Sequence, residues 1–114
     1  MRGAWGELAA CAFLERRGYR IEMRNFRTRF GEIDMIAVQG QYIVCVEVKT
    51  RKADRFAAAR EVVTPQKQEH ILAAAQEWLQ SHPTRLQPRF DAAAVFMPGD
   101  APARIEYLEN VFFG

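Results

Sequence analysis

The chain has 114 residues, a formal net charge of +2, and 49% apolar against 26% charged residues, the balance of an ordinary globular protein. That length suits one domain, residues 1–114, burying roughly two-thirds of its unfolded surface. No apolar run approaches the roughly 20 residues needed to cross a bilayer. The start, Met1-Arg2-Gly3-Ala4-Trp5-Gly6-Glu7, lacks the apolar stretch of a secretory signal. These features exclude a helical membrane protein and predict a cytoplasmic one. Cys11 and Cys45 fall in apolar contexts on different predicted elements and read as free thiols of a reducing compartment. No Cys/His spacing suits zinc.

The charge is graded along the chain. Residues 1–30 hold seven Arg against three Glu, giving +4; residues 31–64 balance at five against five; residues 65–114 carry four basic and six acidic groups, giving −2. A basic face in the first third would suit a polyanion, and a solvated helix face is the plainer alternative.

Residues 4–17 predict a helix. Trp5, Leu8, Ala9, Ala12 and Phe13 recur at helical spacing, Glu7 falls in the first turn and Arg16–Arg17 in the last, and Gly18 is a natural stop. Tyr19, Ile21 and Met23 then alternate with Arg20, Glu22 and Arg24, a half-exposed strand ending near Asn25–Phe26. Arg27, Arg29 and Gly31 form a basic turn. Gly31 to Arg51 reads as two strands joined at Gln39–Gly40. Residues 52–63 read as a loop. Thr64–Pro65 is a helix start, with a capping hydroxyl and a proline at the first helical position. Ile71, Ala74, Ala75, Trp78 and Leu79 form the apolar face of that helix, and His82–Pro83 ends it. A Pro-bounded loop (83–88), a strand (Arg89–Met97), a turn (Pro98–Pro102), a strand (Ala103–Leu108) and an apolar end (Val111–Phe113) complete the chain. The order helix, three strands, helix, two strands predicts an α/β mixed sheet flanked by helices.

Charges interrupt the central hairpin. Asp34 lies in one arm, and Glu47 and Lys49 in the other, within otherwise apolar runs. Ionised groups there cost several kcal/mol unless paired or bound to metal. A two-residue turn at Gln39–Gly40 pairs Val38 with Gln41, sets Asp34 against Cys45 and Glu32 against Glu47, and projects Glu32, Asp34, Glu47 and Lys49 from one side. A three-residue turn without a bulge would throw Glu47 to the other face. Clustered carboxylates suit a hard divalent cation such as Mg²⁺ (or Mn²⁺), with Lys49 near a water or phosphoryl oxygen. This is a set for phosphodiester hydrolysis. The plainer alternative is an exposed hairpin face with salt bridges to Lys49.

Asp34 with Glu47-Val48-Lys49 resembles the PD-(D/E)XK nuclease pattern. The wider text is more specific: Gly6-Glu7, Arg17-Gly18-Tyr19, Asn25, Gly31-Glu32-Ile33-Asp34, Val46-Glu47-Val48-Lys49-Thr50-Arg51, Val63-Thr64-Pro65 with Lys67-Gln68, and Arg89-Phe90-Asp91. Together these are similar to the YraN-like family of small bacterial proteins, whose members are predicted to be endonucleases distantly related to archaeal Holliday-junction resolvases. The resemblance spans nearly the whole chain. It implies a restriction-endonuclease-like core. It also implies metal ligation by Asp34 and Glu47, with Glu7 and the Val48 carbonyl as further donors, and water activation by Lys49. Supporting roles fall to Glu32, Gln66 and Lys67, and contacts to DNA, branched DNA included, to Arg27, Arg29 and Arg51. A homodimer would suit symmetric cutting of a junction. A dipole partner for Glu7 and a solvated Lys67 are the competing assignments, and a non-catalytic nucleic-acid or repair-partner binding module is the competing function. Where such proteins often carry glycine and bulkier aliphatics, this chain has Arg55-Phe56-Ala57-Ala58 and Ala92-Ala93, the latter thinning one strand. Asp91 is assigned a structural role with Arg89 or Arg60. His70 and His82 read as helix-surface residues.

Overall fold

The computed structural model describes residues 2–52, 64–97 and 104–111. The order is α1 (Arg2–Arg16), β1 (Arg20–Arg27), β2 (Glu32–Gln39), β3 (Tyr42–Lys52), α2 (Pro65–Ser81), β4 (Gln87–Met97) and β5 (Arg104–Leu108). This is the α-β-β-β-α-β-β sequence of elements expected. Most of the 52–63 loop, the Pro98–Pro102 turn and Phe112–Phe113 lie outside the described residues, as does any pairing of Asp91 with Arg60.

The strands form a single sheet in chain order, β1-β2-β3-β4-β5. Neighbours are antiparallel except β3 and β4, which run parallel over Tyr42↔Gln87 to Lys52↔Met97. A parallel pair cannot be joined by a tight turn, and the segment between these two contains α2.

The helices cover opposite faces of the sheet. On one face α1 buries Ala10 and Leu14 against Met35, Val44, Val46 and Val95. The stripe expected from spacing is turned: Trp5 and Leu8 are 47% and 54% exposed, and the buried line is Gly6, Ala10 and Leu14. Small residues at Gly6 and Ala10 let the helix lie close to the sheet, and Gly6 rests on Thr50 of β3. Glu7 lies beyond the first helical turn, so it is not the dipole partner expected there.

On the other face α2 buries Ile71, Ala74, Ala75 and Trp78 against Ile33, Ile36, Phe90 and Ala92. Its start is as read: the Thr64 hydroxyl accepts the Lys67 N–H at 3.2 Å, with Pro65 in the first turn. Ala92 and Ala93 of β4 are both buried, one in the α2-side core and the other in the α1-side core.

The hairpin turn is shifted by one residue from its expected place. It falls at Gly40–Gln41, and Gln39 pairs with Tyr42. Gly40 has φ +57, so the glycine takes the first turn position, where positive φ is needed. The loop still holds two residues, so side-chain parity survives while each partner moves by two. Glu32 therefore does not face Glu47; it pairs with Arg27 of β1.

A buried polar junction closes the α1 side. The Arg89 guanidinium donates twice to Asp91, at 3.0 and 2.9 Å, and also to the Tyr19 hydroxyl and Gln39. Asp91 further accepts the Tyr107 hydroxyl and the Asn110 N–H. Burial and the adjacent Asp91 carboxylate push the Tyr107 hydroxyl pKa up. The structural pairing of Asp91 with Arg89 is thus present, in the core rather than at a strand edge.

Candidate active site

The β2–β3 ladder ends at Met35↔Val46. The next pair in that register would be Asp34 and Glu47, and the ladder does not extend to it. There the strands diverge, and Asp34 substitutes for a strand partner: its Oδ2 accepts the Val48 N–H at 2.7 Å. Side-chain alternation slips across this point, because Ile33 and Ile36 both join the α2-side core while Met35 joins the other. The slip is local to the residue that carries the chemistry.

Glu47 continues the face of Ile43 and Cys45 toward α2. It is only 6% exposed, and its carboxylate is met by the Lys67 ammonium from the first turn of α2. The cap that starts α2 therefore also delivers the cation: Thr64 holds the Lys67 N–H while the side chain reaches down to the sheet. Lys67 is half-buried and paired, which decides against a solvated lysine.

Among the described residues Asp34 has no such counter-charge. Burial first, then the neighbouring Glu47 carboxylate, raises its pKa to about 7; Glu7 and Glu32 add to the rise, and the Val48 N–H opposes it. Glu7, on α1, is thereby brought into the field of the hairpin carboxylates. Lys49 is exposed on the same side as Glu47 and has no ion-pair partner among the described residues.

Asp34, Glu47, Lys49 and Lys67 line an open cleft of about 720 Å³, and Glu7 stands outside its lining. Its floor is Asp34 and Glu47, one wall is Lys67 and His70 of α2, and the rim is the β1–β2 connection. That connection is stiffened by Thr28, whose hydroxyl accepts the N–H groups of Phe30 and Gly31 at 3.0 and 3.1 Å, while its own N–H donates to the Gly31 carbonyl at 2.8 Å. A Cβ at Gly31 would collide with the His70 backbone, so only glycine lets the loop lie this close to α2.

The expected site residues thus divide. Asp34, Glu47, Lys49, Glu32, Lys67, Arg27 and Arg29 share the cleft. Glu32 is engaged by Arg27 at 3.2 Å, an exposed pair of small energetic worth. Gln66 is exposed and stands outside the lining, and the Arg51 side chain lies outside the described residues. Val48 contributes its N–H to Asp34. Thr28, Phe30 and His70 also line the cleft and were missed; His70, three residues after Lys67, could have been found from helical spacing. His82 is structural, stacked on Trp78 at 3.6 Å. Among the described residues no group of three or more Asp, Glu, His or Cys reaches metal-holding spacing. Both cysteines are free, Cys45 buried and Cys11 half-buried.

Fold and cleft together define a small mixed-sheet α/β protein with a carboxylate–lysine site between sheet and helix. The chain belongs to the uncharacterised protein family UPF0102, whose family model matches residues 6–95. It is 40% identical over 112 residues to a UPF0102 protein of Syntrophomonas wolfei, covering 96% of both chains. It is 45% identical to one of Geobacter sulfurreducens, covering 96% of this chain and 87% of the relative, and 39% identical to one of Rhodococcus jostii, covering 96% and 94%. No helix among the described residues is long and apolar enough to cross a membrane.

Proposed function

We propose that this protein is a divalent-metal-dependent DNA endonuclease that hydrolyses phosphodiester bonds, branched or junction DNA being its preferred substrate. The observation that carries the reading is the cleft itself, which Asp34, Glu47 and Lys49 line together with Arg27 and Arg29.

The donor set fits a hard cation. Asp34 is a carboxylate whose proton is retained to about pH 7 by burial and by other carboxylates, the condition that a bound cation relieves. Mg²⁺ or Mn²⁺ accepts one or two carboxylates and completes its shell with water and phosphate oxygens, so Asp34 and Glu47 suffice; Glu7 stands outside the cleft lining. When bound, the ion supplies Lewis acidity and lowers the pKa of a coordinated water. The chain's own groups do the rest. Lys49 holds the attacking water or a phosphoryl oxygen, Lys67 orients the Glu47 carboxylate, and Arg27 and Arg29 receive backbone phosphates at the rim. Two copies of the chain would cut opposite strands of a junction.

The test is cleavage of linear, nicked, flapped and four-way DNA with Mg²⁺, Mn²⁺ or EDTA. Metal-dependent products that disappear in Asp34→Ala and Glu47→Ala support the reading; identical backgrounds in wild type and variants overturn it. A second reading, a DNA-binding module without cleavage, is favoured by one observation: Lys67 already occupies the Glu47 carboxylate. It predicts salt-dependent binding that survives both alanine substitutions and is lost with Arg27 and Arg29.

A further inference from the structure

Phe30 is 55% exposed, although the connection that carries it is tied down by the Thr28 hydrogen bonds. A large apolar ring on a rigid loop contributes little to folding when it faces water. Its position is specific. Phe30 borders the cleft that holds Asp34 and Glu47, and also a second, shallower groove of about 300 Å³ along α2, lined by Ala73, Gln76, Glu77 and Gln80. The Arg29 guanidinium lies over the same ring at 5.3 Å. The ring therefore stands as a partition between a cleft rimmed by Arg27 and Arg29 and a groove lined by Gln76, Glu77 and Gln80.

We propose that Phe30 is a stacking wedge: an unpaired nucleobase packs on its ring beside the phosphate held in the cleft, so the site favours DNA with unstacked nucleotides over continuous duplex. This rests on the nuclease reading and names its substrate class. Aromatic rings accept any base through its π-face, and apolar wedges enter distorted steps at lower cost than intact stacks. Arg29 and Arg27 secure the flanking phosphates, and Gln76 and Gln80 offer donors and acceptors to a base edge displaced into the groove. Base pairing in a continuous duplex keeps every nucleobase from the ring.

The test is DNA binding in Ca²⁺, followed by cleavage in Mg²⁺, using a duplex and the same duplex with one bulged 2-aminopurine. Wild type should bind the bulged DNA more tightly and quench its fluorescence. Phe30→Ala should weaken bulged-DNA binding by roughly 5- to 100-fold, with duplex binding little changed, and Phe30→Trp should restore both affinity and quenching. Equal losses on both DNAs, no loss, or a folded Phe30→Trp that fails to restore binding would overturn the wedge alone, provided wild type still cleaves. Wild type that stacks the base but never cuts upholds the wedge and removes the nuclease; wild type that binds no DNA removes both.

Discussion

The Lys67 ammonium of α2 meets the Glu47 carboxylate of β3 across a separation of 20 residues, closing the cleft floor from the helix side. The pair is lopsided: Glu47 is 6% exposed and Lys67 is 41% exposed. The lysine thus holds a carboxylate that water cannot solvate, at the oxygen a metal would also seek.

Lys67→Met should expose that competition. Without the ammonium, Glu47 is a buried charge lacking its partner, and urea denaturation in EDTA should show a loss of about 1–3 kcal/mol. Millimolar Mg²⁺ should then stabilise the variant more than wild type, since the ion no longer displaces a lysine. Equal Mg²⁺ responses would mean that Lys67 and cation do not share Glu47.

Asp34 gives a pH signature of definite sign. Its pKa is raised from 3.8 to about 7 in the fold, so its contribution to stability is most favourable below about pH 4 and is lost as pH rises through 7. Asp34→Asn keeps an acceptor for the Val48 N–H and removes the charge. The metal-free variant should match wild type at pH 4 and exceed it at pH 8 by of order 1–3 kcal/mol. A difference that stays constant across that range would show that Asp34 does not titrate within it.

Lys49 separates chemistry from binding. Lys49→Ala should lower the cleavage rate by about 10²–10³-fold while DNA affinity, measured in Ca²⁺, stays near that of wild type. A parallel loss of affinity would make Lys49 a phosphate contact instead.

The Arg89–Asp91 junction lies on the opposite, α1 face of the sheet, with Asp91 paired to Val46 beside Glu47. Asp91→Ala leaves Arg89 buried without its carboxylate and should cost about 3–5 kcal/mol; Tyr107→Phe, losing one hydroxyl, should cost about 1–2 kcal/mol. Urea melts measure both. DNA binding by the folded Tyr107→Phe protein should be unchanged.

How far the sequence could be read follows from what parity preserves. That Asp34, Glu47 and Lys49 gather in one cleft was legible because a two-residue turn keeps the parity of the two arms, although the alternation slips at Asp34 itself. The partners were not, because Gly40 takes the first turn position rather than the second, which moves each pairing by two and removes Glu32 from Glu47. The α2 start was legible through Thr64 and Pro65, whose effects are local. The inward face of α1 was misjudged because bulk suggested Trp5 and Leu8, whereas close approach to the sheet selected Gly6 and Ala10. The elevated pKa of Asp34 and the placement of Phe30 depend on neighbours far apart in the chain, and no spacing rule reports them.

The Arg89–Asp91 junction also governs how β5 can leave the sheet. Its carboxylate accepts the Tyr107 hydroxyl and the Asn110 N–H, 16 and 19 residues further along the chain. Peeling β5 away would strip both donors from a buried group, and a buried polar group short of its partners is costly. The last strand is therefore held by an internal carboxylate as well as by its ladder. An edge strand anchored in this way resists fraying, and β4 stays covered against pairing with a neighbouring molecule.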